Sequence, residues 1–106
     1  MPIEITVLYP ADADFNMDYY LSSHMPMVFD KFGPHGMTGY RVLKLTGTAS
    51  GDAAPYSVQA TLMFRNQEGF QSALQAEAGP VLGDIPNFSD KEPVLIVGDV
   101  VGEKRS

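Results

Sequence analysis

The sequence predicts an α+β domain built from four strands and two helices in the order β-α-β-β-α-β. Three observations predict it. Short runs alternate apolar and polar residues between Pro, Gly and Asp breaks, which is the pattern of half-buried strands. Two longer segments carry apolar residues at helical spacing. The chain has 106 residues, 44% of them apolar and 19% charged, the balance of one globular domain rather than of a disordered segment.

Ile3 to Tyr9 alternates well, with Ile3, Ile5, Val7 and Tyr9 on one face. Pro10 stops this first strand, because proline cannot donate to a ladder. Asp14 or Asn16 then caps a helix that runs to Phe32, with Leu21, Met25, Val28, Phe29 and Phe32 as one apolar stripe. Pro26 lies inside it and deprives the Ser22 carbonyl of its helical partner, so a kink or break is expected near Ser22 to Met25. Gly33-Pro34 ends the helix. Tyr40 to Leu45 is the second strand, Gly47 to Pro55 a small flexible hairpin connection, and Tyr56 to Phe64 the third strand. Asn66 caps a second helix in which Phe70, Ala73, Leu74 and Glu77 recur, and Gly79-Pro80 is expected to close it. Pro80 to Asp90 is rich in turns, with a short helical turn over Val81 to Asp84. Val94 to Val101 is the final strand, apolar on both faces where it starts. The domain is expected over 1–101, with a polar, flexible tail over 102–106.

This order is the ferredoxin-like split unit, a four-stranded antiparallel sheet with both helices on one face. The first and third strands lie centrally in it and the last lies at an edge. An edge strand that is apolar on both faces is an aggregation hazard when open. A domain of this size buries only roughly two-thirds of its unfolded surface. Both facts point to burial against a second copy, hence a homodimer.

The formal net charge is -6, with no basic patch, so neither nucleic acid nor an anionic membrane is an expected partner. No apolar run approaches the roughly 20 residues needed to span a bilayer. MPIEITVLYP lacks a basic leader and a cleavage site, so the expected location is the cytoplasm. With no cysteine, thiolate chemistry, zinc–thiolate sites and iron–sulfur clusters are excluded. His24 and His35 are too far apart for a helical ligand pair, and no metal site is expected. No dinucleotide fingerprint, phosphate loop, nucleophile elbow or carboxylate pair is present, so no cofactor is expected; haem could attach only through His24.

His24 is the leading candidate for chemistry. An imidazole titrates near neutrality, so it can take or give a proton at working pH. It borders the apolar stripe with Tyr20 one turn earlier, beside the break that Pro26 makes. It could equally hold the bend by donating to a freed carbonyl. Asp84 could orient His24, since a carboxylate fixes an imidazole's tautomer, or it could serve only its own turn. Tyr40 begins a strand that can lie beside the first helix, which makes it the next candidate. Tyr19 and Tyr20 could donate to, or stack on, a small-molecule ligand, or simply pack with their hydroxyls in water. Phe64, with Leu21 and Val28, would supply an apolar wall. Asn87 and Phe88 fall in the turn-rich loop, where Asn87 more readily serves the turn. Thr6, Gln59 and Thr61 share the other sheet face and suit a dimer interface. His35 reads as an exposed loop residue, and the six methionines as core filler.

Three segments carry a family resemblance. They are Asp18-Tyr19-Tyr20 with His24-Met25-Pro26-Met27-Val28, then Gly83-Asp84-Ile85-Pro86-Asn87-Phe88-Ser89-Asp90, and Pro93-Val94-Leu95; Val7-Leu8-Tyr9-Pro10 adds to them. Together they resemble the EthD family across nearly the whole chain. The resemblance implies a dimeric α/β barrel, two four-stranded sheets meeting inside with helices outside. It also implies a histidine on the first helix facing a cavity. The family takes its name from an ether-degradation gene cluster and is sometimes labelled a reductase. Related barrels include cofactor-free monooxygenases, muconolactone isomerases and polyketide cyclases, so architecture follows more closely than reaction. Two functions are therefore expected. One is a cofactor-independent enzyme of catabolic or secondary metabolism, acting on a small aromatic or lactone-like compound with His24, Tyr40 and Asp84 as its catalytic group. The other is a non-catalytic metabolite-binding accessory of an oxidative degradation system.

Overall fold

The computed structural model describes residues 1–105. Its elements are β1 (Ile3–Pro10), α1 (residues 17–32), β2 (Met37–Lys44), β3 (Tyr56–Phe64), α2 (Gln67–Gly83) and β4 (Val94–Asp99), with single 3₁₀ turns at Gly33–His35 and Ile85–Asn87. The strands form one antiparallel sheet in the order β2-β3-β1-β4. The order β-α-β-β-α-β and the central places of β1 and β3 are as the sequence predicts.

Alternation decides which face is buried. Ile3, Ile5, Val7 and Tyr9 pair across with Phe64, Leu62, Ala60 and Val58. All eight are buried under the helices, with Met25, Val28 and Phe32 from α1 and Phe70, Ala73 and Val81 from α2. The opposite face, with Glu4, Thr6 and Leu8 against Met63, Thr61 and Gln59, carries no helix and is only half-buried.

β2 begins at Met37, three residues before the expected Tyr40, and ends at Lys44 instead of Leu45; three further details depart from the sequence expectation. First, the irregularity expected near Ser22 to Met25 is present, but as a π-turn and not as a break in α1. The helix is α-helical over Met17–Tyr19, π-helical over Tyr20–His24, and α-helical again over Met25–Phe32. In the π-turn the Met25 N–H donates to the Tyr20 carbonyl, five residues back, and the Ser22 hydroxyl donates to the Asp18 carbonyl at 2.7 Å. The wider turn takes in one extra residue, which rotates everything before it by about 100° around the axis. Tyr20 and His24 therefore point inward and are buried, while Leu21 turns out and is 48% exposed. Phe29, at the stripe's other margin, is 40% exposed. Asn16 rather than Asp14 caps the helix, accepting from Tyr19 N–H at 3.1 Å.

Second, α2 does not close at Gly79-Pro80 but runs through to Gly83. Pro80 forfeits one helical hydrogen bond. Val81 continues the inward stripe of Phe70, Ala73 and Leu74, and its burial holds the last turn against the sheet. Asn66 caps this helix as expected, accepting from Gly69 N–H at 2.8 Å. Third, β4 ends at Asp99, two residues early, although Val100 N–H still donates to the Pro2 carbonyl at 3.0 Å. Residues 102–105 of the expected tail carry no regular structure, and Ser106 lies outside the described residues.

The π-register has a direct check. Leu21→Ser should change unfolding free energy in urea by less than about 0.5 kcal/mol, as for an exposed position. Tyr20→Ala should cost about 3–5 kcal/mol, as for a buried aromatic side chain. The reverse order would mean an uninterrupted α-helix.

Candidate functional site

Between α1, α2 and the β1–β4 half of the sheet lies a cavity of about 330 Å³. Its walls are almost wholly apolar, with Val28, Phe70, Val81, Leu82, Leu95 and Val97 prominent among them. Only three lining residues carry a polar side-chain atom: Tyr9, Tyr20 and His24. An apolar cleft with a few convergent polar groups is the usual make-up of a small-molecule site.

His24 enters this wall because the π-turn aims it there. Its Nδ1 lies 2.9 Å from Oδ2 of Asp84. Asp84 caps the C-terminal end of α2, at the head of the loop that leads to β4. That loop is stitched to the start of α1. Asn16 N–H donates to the Phe88 carbonyl at 2.8 Å, Asp14 N–H to Asp90 Oδ1 at 2.7 Å, and Phe15 bridges to Ser89. Oδ1 of Asp84 accepts from the Tyr19 hydroxyl at 2.7 Å and from Asn87 Nδ2 at 2.8 Å. Both carboxylate oxygens are thus fixed by side chains of known direction.

The electrostatics follow from burial and these bonds. Burial pushes the Asp84 carboxyl up, but the hydrogen bonds from Asn87, His24 and Tyr19 outweigh it and hold the group below the usual carboxylate value. Burial pulls His24 below its ordinary value, and the attraction of Asp84 only partly offsets this. Tyr19 is held up by its bond to Asp84. At neutral pH the pair is therefore a neutral imidazole beside a carboxylate. A carboxylate only accepts hydrogen bonds, so the proton sits on Nδ1 and Nε2 carries the free lone pair. Nε2 has no protein partner among the described residues, and no buried side-chain polar atom lacks one, so Nε2 reaches open space.

An aromatic cluster backs the pair. Phe88 is its hub, with ring centres 4.5 Å from His24, 4.8 Å from Tyr20, 5.7 Å from Tyr9 and 5.4 Å from Phe15. Tyr20 stacks on His24 at 5.3 Å, their planes 15° apart.

The residues singled out from sequence divide accordingly. The structure brings together His24, Asp84, Tyr19, Tyr20, Asn87 and Phe88. Of these only His24 and Tyr20 line the cavity; Tyr19 and Asn87 hold Asp84, and Phe88 supports the His24 ring. Tyr40 is not brought to His24. It sits on β2, at the sheet edge remote from β4, half-exposed against Phe29 at 6.1 Å. Phe64 is packed into the core between Phe32 and Phe70, at 5.9 and 5.3 Å, and does not line the cavity. Leu21 faces outward, away from the wall expected of it. Tyr9 was legible only as an inward strand residue, yet it lines the cavity. Its signal was a polar handle on a residue that alternation buries. Among the described residues no cluster of three or more His, Asp or Glu could hold a metal ion, and no helix is long and apolar enough to cross a membrane.

Solved structures place this geometry among known folds. An EthD-like protein from Ralstonia eutropha is 35% identical, with 97% of this chain and 95% of that one covered and a TM-score of 0.87. An ethyl tert-butyl ether degradation (EthD) family protein from Bacillus halodurans is 20% identical, with 93% and 98% covered and a TM-score of 0.71. SnoaB from Streptomyces nogalater, a cofactor-independent oxygenase, shares the fold at 10% identity, with 96% and 94% covered and a TM-score of 0.65. No protein-family model matches the chain, and no curated protein sequence does.

Proposed function

The chain belongs to the EthD family, and on that footing we propose that it is a cofactor-independent enzyme that moves a proton on a small apolar metabolite. The observation that carries this reading is the His24–Asp84 pair at the wall of an apolar cavity. With Nδ1–H given to Asp84, Nε2 is a base. It takes a proton from a C–H or O–H of the bound molecule, whose electron pair stays on the substrate. Asp84 stabilises the imidazolium until the proton is returned at the same or another atom. One positioned acid–base group gives about 10²–10⁴-fold acceleration. That suits isomerisation or cyclisation, or oxidation with dissolved dioxygen as the oxidant, of an already activated aromatic or lactone-like compound, as in a catabolic or secondary-metabolite pathway of the cytoplasm. The cofactor-independent oxygenase SnoaB has the same fold, which supports chemistry of this class without an added group. A second reading, a non-catalytic carrier for an oxidative degradation system, is favoured by walls that are almost wholly apolar.

We also propose that the working unit is a homodimer closed into an α/β barrel. Among the described residues β4 pairs only with β1, so its outer edge has free backbone groups. Val94, Leu95, Ile96 and Val97 on it are 42 to 52% exposed. A second copy would cover this edge and the uncapped sheet face that carries Thr6, Gln59 and Thr61.

Two measurements test these readings. In D₂O the purified protein should speed exchange of the α-hydrogens of 2-tetralone, a neutral aromatic ketone. The rate should fall at acid pH with a midpoint below 6.5, the ordinary imidazole value, because protonated Nε2 is no longer a base. His24→Gln should lose about 10²–10⁴-fold of the acceleration; equal rates for both proteins would leave only the carrier. Sedimentation at micromolar concentration should give twice the chain mass, and a stable monomer there would contradict the dimer.

A further inference from the structure

The reading above uses one of the three polar residues of the cavity. Tyr9 and Tyr20 remain. Each is only 2% exposed, and neither hydroxyl has a hydrogen-bond partner in the protein among the described residues. Among the described residues no buried side-chain oxygen or nitrogen is without a partner, so both hydroxyls touch accessible space. The space that both residues line is the cavity. Their rings lie 5.9 Å apart, edge to face, and Tyr20 stacks on His24. Tyr9, Tyr20 and His24 are thus neighbours on a wall that is apolar elsewhere.

We propose that the Tyr9 and Tyr20 hydroxyls form an oxygen-binding pole, and that the ligand is a neutral apolar molecule bearing one carbonyl, enol or phenol oxygen at one end. This rests on the reading of the cavity as a small-molecule site. Burial raises both phenols above their ordinary value, Tyr9 further through the charge of Tyr20, so both stay protonated and can donate. No Asp, Glu, Lys or Arg lines the cavity, and His24 is neutral. A carboxylate or phosphate would be buried there without a counter-charge, at heavy cost. A ligand with no oxygen would leave two buried donors unpaired. The pole also stands beside the base. When Nε2 takes a proton from the carbon next to a carbonyl, the C–H electron pair becomes the enolate C=C bond and the carbonyl π pair moves onto the oxygen, where the two O–H groups would donate.

Binding alone tests the pole. The probes are 2-naphthol, naphthalene and 2-naphthoate, titrated calorimetrically against wild type, the Tyr9→Phe/Tyr20→Phe double variant and His24→Gln. Phe keeps both rings in the aromatic cluster, and circular dichroism checks the fold. Wild type should bind 2-naphthol at least about tenfold more tightly than naphthalene, the ratio that unpaired buried donors produce. The double variant should reduce that preference to about twofold or less, and 2-naphthoate should not bind. Equal affinity of wild type for 2-naphthol and naphthalene overturns the pole while leaving the cavity as a binding site. Tight binding of 2-naphthoate overturns the neutral ligand. A preference that survives in the double variant but vanishes in His24→Gln assigns the oxygen to His24 instead. No binding of any probe overturns both the pole and the reading of the cavity on which it rests.

Discussion

Pro26 has no N–H to offer the Ser22 carbonyl, and the helix answers by widening into a π-turn over Tyr20–His24, with Met25 N–H bonded to the Tyr20 carbonyl. A full break would have cost the helix its continuity and left several backbone groups bare. The π-turn costs one irregular turn and keeps both α-helical halves, so Met25, Val28 and Phe32 still seal the core. The rotation it imposes is what matters for the site. On an uninterrupted α-helix with the same Val28 and Phe32 contacts, Leu21 would face the core, and Tyr20 and His24 would sit toward its margin. With it, two polar aromatic residues replace a leucine on the inward face. Such π-turns cluster at functional sites, and here the displaced register is what brings Tyr20 and His24 to the cavity wall.

The remaining half of the site comes from the other end of the chain. Asp84 stands 60 positions from His24, at the C-terminus of α2. It reaches the imidazole because that helix runs past Pro80 and because the loop after it is bonded to residues 14–16. Tyr19 and Asn87 then spend their polar atoms on the carboxylate. The result is an imidazole held in one tautomer beside a carboxylate, with burial keeping it neutral.

The strands were legible in the sequence because alternation is a local signal, and Tyr56–Phe64 emerged with the bounds that its pattern drew. The sheet order followed from element order. His24 and Asp84 were legible as residue types, and their pairing as a possibility, but no spacing could say that a loop and a helix so far apart would meet. The inward turn of Tyr20 and His24 was not legible, because the choice between a break and a π-turn is made by packing that a linear pattern does not contain. Tyr40 was misplaced for a topological reason: its strand lies beyond β3, on the edge opposite the cavity. Tyr9 was passed over because period two marks a residue as buried without saying that a void lies beside it. Pro80 looked like a stop signal, and the inward stripe that includes Val81 overrode it.

The state of the His24 ring decides what the cavity can do. Long-range ¹H–¹⁵N correlation spectra of the imidazole, taken across pH, read both the tautomer and the titration midpoint. A proton on Nδ1 and a bare Nε2 are expected at neutral pH, with a midpoint below the ordinary 6.5, and loss of that tautomer preference in Asp84→Asn. A proton on Nε2 at neutral pH, or a midpoint above 6.5, would contradict Nε2 as the base.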